Sequence, residues 1–428
     1  MKWALRSSFA IPADNERQNA AEAKMRGSVE AFGPTVSYVN ESVLTSKYTY
    51  APNYTLPDAT GADTVARREP NAQGFMLTQP LFDGFLRLNN FQAARVGVQA
   101  GKYLQLDAQQ QTYLAASNAY LAIVRDRRIV ALRVTQVGDV AKILERTKVR
   151  YSMHDTTQTD VNMAESRLIQ ANADVQQANT NLRASEIEYT RISGTRPGRL
   201  APPRVPYDVL PSSMSELEQA VIAGNPQLQA SRLGVVAAGY EARAKVADVL
   251  PQVNLYAASM QQTHISAALD KATDNTVKLQ MRVPIYEPGA YSRISEAAAT
   301  ARQKWWENAD AQKVGVAKIS TLYVQYTATR DLIKRADQRV KAMESAVYGI
   351  GVERAAGFRT VIDTLNAQNE LVVAELIRVE LEYQRDSLVY TIAAALSRLT
   401  PDGHTVAASQ LSVGGQGVLI PHSRPGKS

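Results

Sequence analysis

The sequence predicts a mainly α-helical protein with membrane-type β structure, built from a duplicated unit of helix, strand, strand, long helix and helix. Three observations predict it. Proline is missing from long tracts, Gly101 to Gly138 and Arg302 to Arg398 among them, and these exceed an ordinary globular helix of about 11–12 residues. Landmarks of the first half recur in the second at an almost constant offset. A segment near residue 280 alternates apolar and polar residues with the period of a strand that has one apolar face.

The duplication is read from short motifs. Phe32-Gly-Pro-Thr-Val-Ser-Tyr38 is echoed by Val249-Leu-Pro-Gln-Val-Asn-Leu-Tyr256, and Gln79-Pro-Leu-Phe-Asp-Gly84 by Val283-Pro-Ile-Tyr-Glu-Pro-Gly289. Thr157-Gln-Thr-Asp160 returns as Thr360-Val-Ile-Asp363. Pro80 and Pro284 lie 204 positions apart, while Tyr120 and Tyr323, like Asp160 and Asp363, lie 203 apart. The register therefore hardly moves.

These landmarks divide the chain. An atypical N-terminus, 1–14, precedes a first repeat over 15–192, with strands at about 35–50 and 74–82, a long helix at about 84–153 and a return helix at about 159–192. A linker follows over 193–224. The second repeat, 225–400, has strands at about 252–264 and 275–286, a long helix at about 289–355 and a return helix at about 360–399. The tail, 401–428, is rich in Gly, Ser and Pro and reads as disordered.

The strand Thr276 to Tyr286 places Val277, Leu279, Met281, Val283 and Ile285 on one face, with Lys278, Gln280 and Arg282 on the other. Its length is the roughly 9–11 residues of a tilted barrel strand. A half-buried soluble sheet has the same pattern, so both readings stand at this point. Four strands cannot close a membrane barrel, because the smallest have eight, and an open edge in lipid leaves costly unpaired backbone groups. The membrane reading therefore requires several copies.

The helices carry seams. Val161, Leu168, Val175, Leu182 and Tyr189 recur every seven residues, with Ala164, Ala171 and Ala178 three places after the first three. Tyr113, Ala116, Tyr120 and Ile123 begin a similar stripe in the preceding helix. After Asp363 there are two stripes, Leu371, Ala374, Leu381, Leu388 and Ile392, and Leu365, Val372, Leu376, Val379 and Tyr383. A helix with two seams has two neighbours, as in a curved wall. The helix from Gly289 to Ala355 would run roughly 100 Å and must pack laterally on its own kind.

Composition narrows the chemistry. There is no cysteine, and net charge is +7, with Lys, Arg, Asp and Glu interspersed rather than gathered into one basic block. That excludes disulfides and thiolate sites and argues against nucleic acid. His154, His264, His404 and His422 are scattered without companions at metal-ligand spacing. No nucleophile triad, P-loop or dinucleotide fingerprint is present. No catalysis, cofactor or metal is expected. Tyr113, Tyr120 and Tyr323 read as packing residues, and Trp305-Trp306 as a girdle, an equatorial anchor or a helix-packing pair.

The repeated layout, with Asn225-Pro-Gln-Leu-Gln-Ala-Ser-Arg232, Leu250-Pro-Gln-Val, Gln79-Pro-Leu-Phe-Asp-Gly84 and Gly357-Phe-Arg-Thr-Val-Ile-Asp363, resembles the TolC outer-membrane factor family over about residues 15–400. The resemblance implies a homotrimer whose twelve-stranded β-barrel, set in outer-membrane lipid, continues as a twelve-helix periplasmic α-barrel with an equatorial belt. It implies an exit duct for type I protein secretion or multidrug efflux, docked onto a periplasmic membrane-fusion adaptor and an inner-membrane ABC or proton-driven pump. The linker, with Pro197, Pro202, Pro203, Pro206 and Pro211, looks like the type I secretion branch. A soluble periplasmic coiled-coil scaffold is the competing reading; it explains the heptads but not the duplicated strands.

The resemblance also implies a gate at the periplasmic helix tips. Asp363 matches the constriction aspartate, Asn366 stands where a second aspartate is frequent, and Arg359 matches the arginine that ties this turn to its neighbour. Thr159 and Asp160 match the partner site on the first turn; Arg354 replaces a frequent tyrosine and is a candidate partner for Asp160; His154 stands where glycine is usual. Thr157 to Asp160 and Thr360 to Asp363 also have the spacing of a helix-starting capping box, and the two roles are compatible. At the N-terminus, Phe9 stands where the second half has Pro226, and Met1 to Ala13 makes a poor signal peptide. A signal peptide and first helix are expected to be missing or replaced.

Overall fold

The computed structural model describes residues 10–44, 46–50, 64–68, 70–211, 213–263 and 271–400. The expected tail over 401–428, residues 1–9 of the expected N-terminal segment and His264 lie outside them. The order of elements is α1 (Ala10–Glu30), β1 (Thr35–Ser42), β2 (Ser46–Tyr50), β3 (Thr64–Arg68), β4 (Asn71–Phe82), α2 (Leu86–Ser152) and α3 (Gln158–Ser193), followed by a 3₁₀ turn (Tyr207–Val209). Then come α4 (Met214–Gly224), α5 (Pro226–Val246), β5 (Gln252–Thr263), β6 (Lys271–Arg282), α6 (Ala290–Ala355) and α7 (Val361–Ala395).

A 21-residue helix, α1, occupies the place where the first helix was expected to be missing. Its sequence lacks the Asn-Pro start that opens α5 and relies on Ala, Glu, Arg and Lys, which favour helix without a motif. Gln18 anchors it: the side chain is buried, and its Nε2 donates to Val98 O at 3.3 Å and to Glu22 Oε1 at 3.1 Å.

The chain divides into two units. One comprises Arg17–Gly101 and Ser231–Asn308 and holds all the strands. Its main sheet has four antiparallel strands in the order β1-β4-β5-β6, so β1 and β6 are its edges. A separate two-stranded sheet pairs β2 with β3. The single strand expected over 35–50 is thus broken after Ser42. Val43 N still donates to Pro70 O at 2.9 Å, but Pro70 has no N–H with which to continue the ladder. Pro284 shortens β6 similarly: the strand ends at Arg282 and leaves Val283 and Ile285 outside it. Pro80 is absorbed by a register shift between Pro80 and Phe82 in β4.

Register aligns the apolar residues across all four strands. Val36 pairs with Leu77 and Tyr38 with Phe75; Leu77 pairs with Ala257; Ala257, Leu255 and Val253 pair with Val277, Leu279 and Met281. Directly paired residues share a face, so these side chains form one continuous apolar surface. It is uncovered toward the sheet's edges, where Val36, Tyr38, Phe75, Val277, Leu279 and Met281 range from 57% exposed at Tyr38 to 74% at Val277, while Leu77, Val253 and Leu255 are half-buried. The opposite face carries Ser37, Thr78, Lys278, Thr276 and Asp274.

The other unit comprises residues up to Glu16, Lys102–Ala230 and Ala309 onward. One core cluster gathers Tyr113 and Leu121 from α2, Leu217 and Val221 from α4, Ile319 from α6, and Tyr390 and Ile392 from α7. The linker is stitched to this core by hydrogen bonds. Tyr207 Oη donates to Asp386 Oδ1 at 2.6 Å, Tyr390 Oη to Arg204 O at 2.8 Å, and Arg398 Nη1 to Val209 O at 2.8 Å. Burial pushes the Tyr390 hydroxyl up to about 12, so it stays a donor through the physiological range. A second cluster joins Val140, Ile143 and Leu144 of α2 to Val161 and Ala164 of α3 and Val361 and Leu365 of α7. On α3, Val161, Ala164, Ala171 and Ala178 of the heptad seam are buried, while Leu168, Val175, Leu182 and Tyr189 are half-buried. On α7, Leu365, Val372 and Val379 of one stripe are buried, as are Ala374 and Ile392 of the other.

Candidate functional site: the two helix turns

Two helix turns, α2 to α3 and α6 to α7, begin from the same apolar cluster. Val161, one residue past Asp160, and Val361, two before Asp363, both belong to it. The turns share one local design. Asp155 N donates to Arg150 O and Phe358 N to Glu353 O, each at 2.9 Å, so each preceding helix closes on its last carbonyls. Each following helix opens on a complete capping box. Thr157 and Thr360 are the caps, and each hydroxyl accepts from the aspartate N–H three residues on at 3.2 Å.

One residue per turn is left-handed: Gly357 at φ 87° and, 203 positions earlier, His154 at φ 64°. Glycine adopts this conformation freely, whereas a side chain pays roughly 1–2 kcal/mol. Allowing for the greater freedom of an unfolded glycine, His154→Gly is expected to stabilise the protein by about 0.5–1 kcal/mol. A shift of the urea midpoint to higher concentration checks it; an unchanged or lower midpoint contradicts it.

Both aspartates are engaged inside their boxes. Asp363 Oδ2 accepts from Thr360 N at 2.9 Å and Thr360 Oγ1 at 2.8 Å. Asp160 Oδ2 accepts from Thr156 Oγ1 at 2.7 Å and Thr157 Oγ1 at 2.9 Å. Hydrogen bonds to the Thr360 backbone and hydroxyl, helped by the Arg359 charge, hold the Asp363 carboxyl below the usual carboxylate range. Donation from Thr156, then Thr157, with the Arg150 charge, does the same at Asp160. Their contribution to stability is therefore full above the ordinary carboxylate range and is lost as pH falls through the lowered values.

The other expected gate residues sit as follows. Asn366 Oδ1 accepts from Arg167 Nη2 at 3.2 Å, joining α7 to α3. Arg359, expected to tie its turn to a neighbour, pairs within its own hairpin with Glu353 at 2.7 Å, because the tight turn folds it back onto the last turn of α6. Thr159 is exposed. Arg354 does not pair with Asp160, whose oxygen is taken by the two threonines. Burial together with the positive charges of Arg150 and Arg146 lowers the Arg354 guanidinium below its ordinary value. Arg150 itself pairs with Asp155 at 2.6 Å.

Sequence reasoning missed Arg167, Thr156, Glu353 and the Arg146, Arg150 and Arg354 cluster. Only Thr156, adjacent to the capping threonine, carried a local signal. Asp139 and Gln136 of α2, also missed, bond Gln368 and Asn369 of α7 at 3.1 and 3.4 Å. The arrangement fixes carboxylates and guanidinium groups at two rigid helix ends. Among the described residues no group of three His, Asp or Glu is placed to hold a metal ion, and no helix is long and apolar enough to cross a membrane.

Residues 217–398 match the family model described as outer membrane efflux protein. Outer membrane efflux protein BepC of Brucella suis biovar 1 is 29% identical over 374 residues, 85% of this chain and 80% of that protein. Alkaline protease secretion protein AprF of Pseudomonas aeruginosa is 24% identical over 322 residues, 72% of this chain and 66% of that protein. The fold is similar to the crystal structure of CusC, with TM-score 0.79, 12% identity and coverage of 92% of this chain and 90% of that one. It is similar also to VceC of Vibrio cholerae, with TM-score 0.76, 16% identity and coverage of 92% and 94%. The outer membrane efflux protein family model thus matches residues 217–398 of the chain, and the fold is like those of CusC and VceC over nearly its whole length.

Proposed function

We propose that three copies of this chain form an outer-membrane exit duct, a passive conduit for type I protein secretion or multidrug efflux. The sheet carries the reading. Its apolar face runs through all four strands, and its edges, β1 and β6, have no partner within the sheet. Lipid covers such a face at no cost, whereas an unpaired edge in lipid costs several kcal/mol per unmet group. Because successive strands alternate in direction, β6 of one copy meets β1 of the next antiparallel. Three copies supply twelve strands, enough for a closed barrel with a polar interior. In each copy α2, α3, α6 and α7 contribute to the periplasmic tunnel, and no step of the chemistry is catalytic.

The names of the relatives favour an export role, efflux for BepC and alkaline protease secretion for AprF. In this reading a periplasmic adaptor and an inner-membrane ABC or proton-driven pump supply the energy and open the helix tips. The gate consists of Asp363 and Asn366 at the constriction, Arg359 and Arg354 beside it, and Thr159 and Asp160 on the other turn. Three Asp363 carboxylates around one axis favour cations.

Planar-bilayer recordings of the purified protein test this. Asp363→Ala is expected to lower the cation-to-anion permeability ratio roughly three-fold. Because the Asp363 carboxyl is held below the usual range, wild-type selectivity should persist on acidification and fall only beneath that range. An unchanged ratio in the variant would remove Asp363 from the constriction.

A further inference from the structure

We infer that the inner wall of the barrel is a second selectivity element, with a ring of cations toward its helix end and a ring of carboxylates toward its far end. This rests on the duct reading, which turns the polar face of the sheet inward. Asp274, Lys278 and Arg282 follow one another at four-residue intervals along β6, so all three stand on that face, about 13 Å between neighbours. Register carries each level across the copy. Lys278 is on the level of Tyr256, Thr78 and Thr35, and Asp274 on that of Met260, Gly74 and Val39. Glu41 of β1 lies one level further out, in the row of Ala72, Gln262 and Ala272. All four charged residues are exposed.

These charges are not used up by the fold. Among the described residues Lys278, Asp274 and Glu41 have no ion pair. Lys278 lies over the Tyr256 ring, 5.5 Å from its centroid, which holds the ammonium against the wall. Arg282 has Glu287 at 3.8 Å, but Arg293 shares that carboxylate at 4.0 Å. The helix end therefore keeps a net positive charge, chiefly that of Lys278. The first repeat does without such cations: 204 positions earlier, at the offset that relates Pro80 to Pro284, stand Gly74 and Thr78. Strands pair in both repeats, so the cations are an addition to the wall.

Three copies set each level three times around one axis. Rings of lysine or arginine favour anions, and rings of aspartate or glutamate favour cations; low-dielectric walls focus both fields. The helix end of the barrel thus draws carboxylates and phosphates, the opposite class to that drawn by Asp363. In series, the two zones rectify current. With the far side positive, anions enter through the cationic zone and cations through the acidic one. With the sign reversed, the middle is emptied of both.

Current–voltage recordings in planar bilayers, with the full chain added from one side, test this at salt of about 0.01 M and about 1 M, where screening lengths are about 30 Å and 3 Å. Wild type is expected to pass about two-fold more current with the far side positive at low salt, and equal currents at high salt. Lys278→Gln combined with Arg282→Gln is expected to abolish rectification and to raise the cation-to-anion permeability ratio about two-fold, whereas Lys278→Arg keeps both wild-type values. Asp274→Asn combined with Glu41→Gln is expected to lower that ratio. Channels whose ratio and rectification are unchanged in both double variants overturn the inference and leave the duct reading standing. A protein that forms no channel overturns both.

Discussion

Leu279→Arg is expected to cost about 2–4 kcal/mol per copy in lipid and to remove the folded protein from the outer-membrane fraction. Leu279 lies on β6, three residues before its end, is 66% exposed, and is flanked on the apolar face by Val277 and Met281 and paired with Leu255. In water, an arginine at such a site would be close to neutral, because surface substitutions fall mostly within about 0.5 kcal/mol. In a bilayer it must leave water entirely. The neighbouring Lys278 faces the other way, and Lys278→Ala is expected to leave assembly intact. Urea unfolding in lipid vesicles, together with membrane fractionation, checks the pair; equal tolerance of both substitutions would mean that the apolar face does not meet lipid.

Leu217→Ala is expected to destabilise the helical unit by roughly 2–5 kcal/mol, the cost of a cavity in a packed core. Leu217 is fully buried and places α4 in one core cluster with Tyr113 and Leu121 of α2, Ile319 of α6 and Ile392 of α7. It therefore secures the proline-rich linker to three helices at once. Leu217→Met keeps the volume and should cost less than about 1.5 kcal/mol. Limited proteolysis is the readout, with early cleavage in the linker expected for the alanine variant alone. Equal cleavage of wild type and Leu217→Ala would show that the linker is held by its hydrogen bonds.

What was legible in the sequence follows from the range of each interaction. Thr157 to Asp160 and Thr360 to Asp363 are local devices, and both appear as complete capping boxes. The alternation around Leu279 is likewise local and gives the strand, although its end was misplaced because Pro284 stops the ladder at Arg282. Helix α1 is hard to read from sequence because it lacks the Asn-Pro start of α5 and rests on composition and the buried Gln18. At the turns, the contact of Arg167 with Asn366 spans 199 positions. No pattern within one helix announces such a partner, since it depends on how α3 and α7 face each other. The pairing of Arg359 with Glu353 is short in sequence, six positions, but it runs across a tight turn and carries no motif.

The central claim is that a sheet with two unpaired edges, β1 and β6, is completed by identical copies in a membrane. Native mass spectrometry of protein extracted from the outer membrane in detergent tests it most directly. The account predicts a single species of three chains of 46.8 kDa each, which falls out of solution when detergent is removed. A monodisperse single chain that stays dissolved without detergent would contradict it.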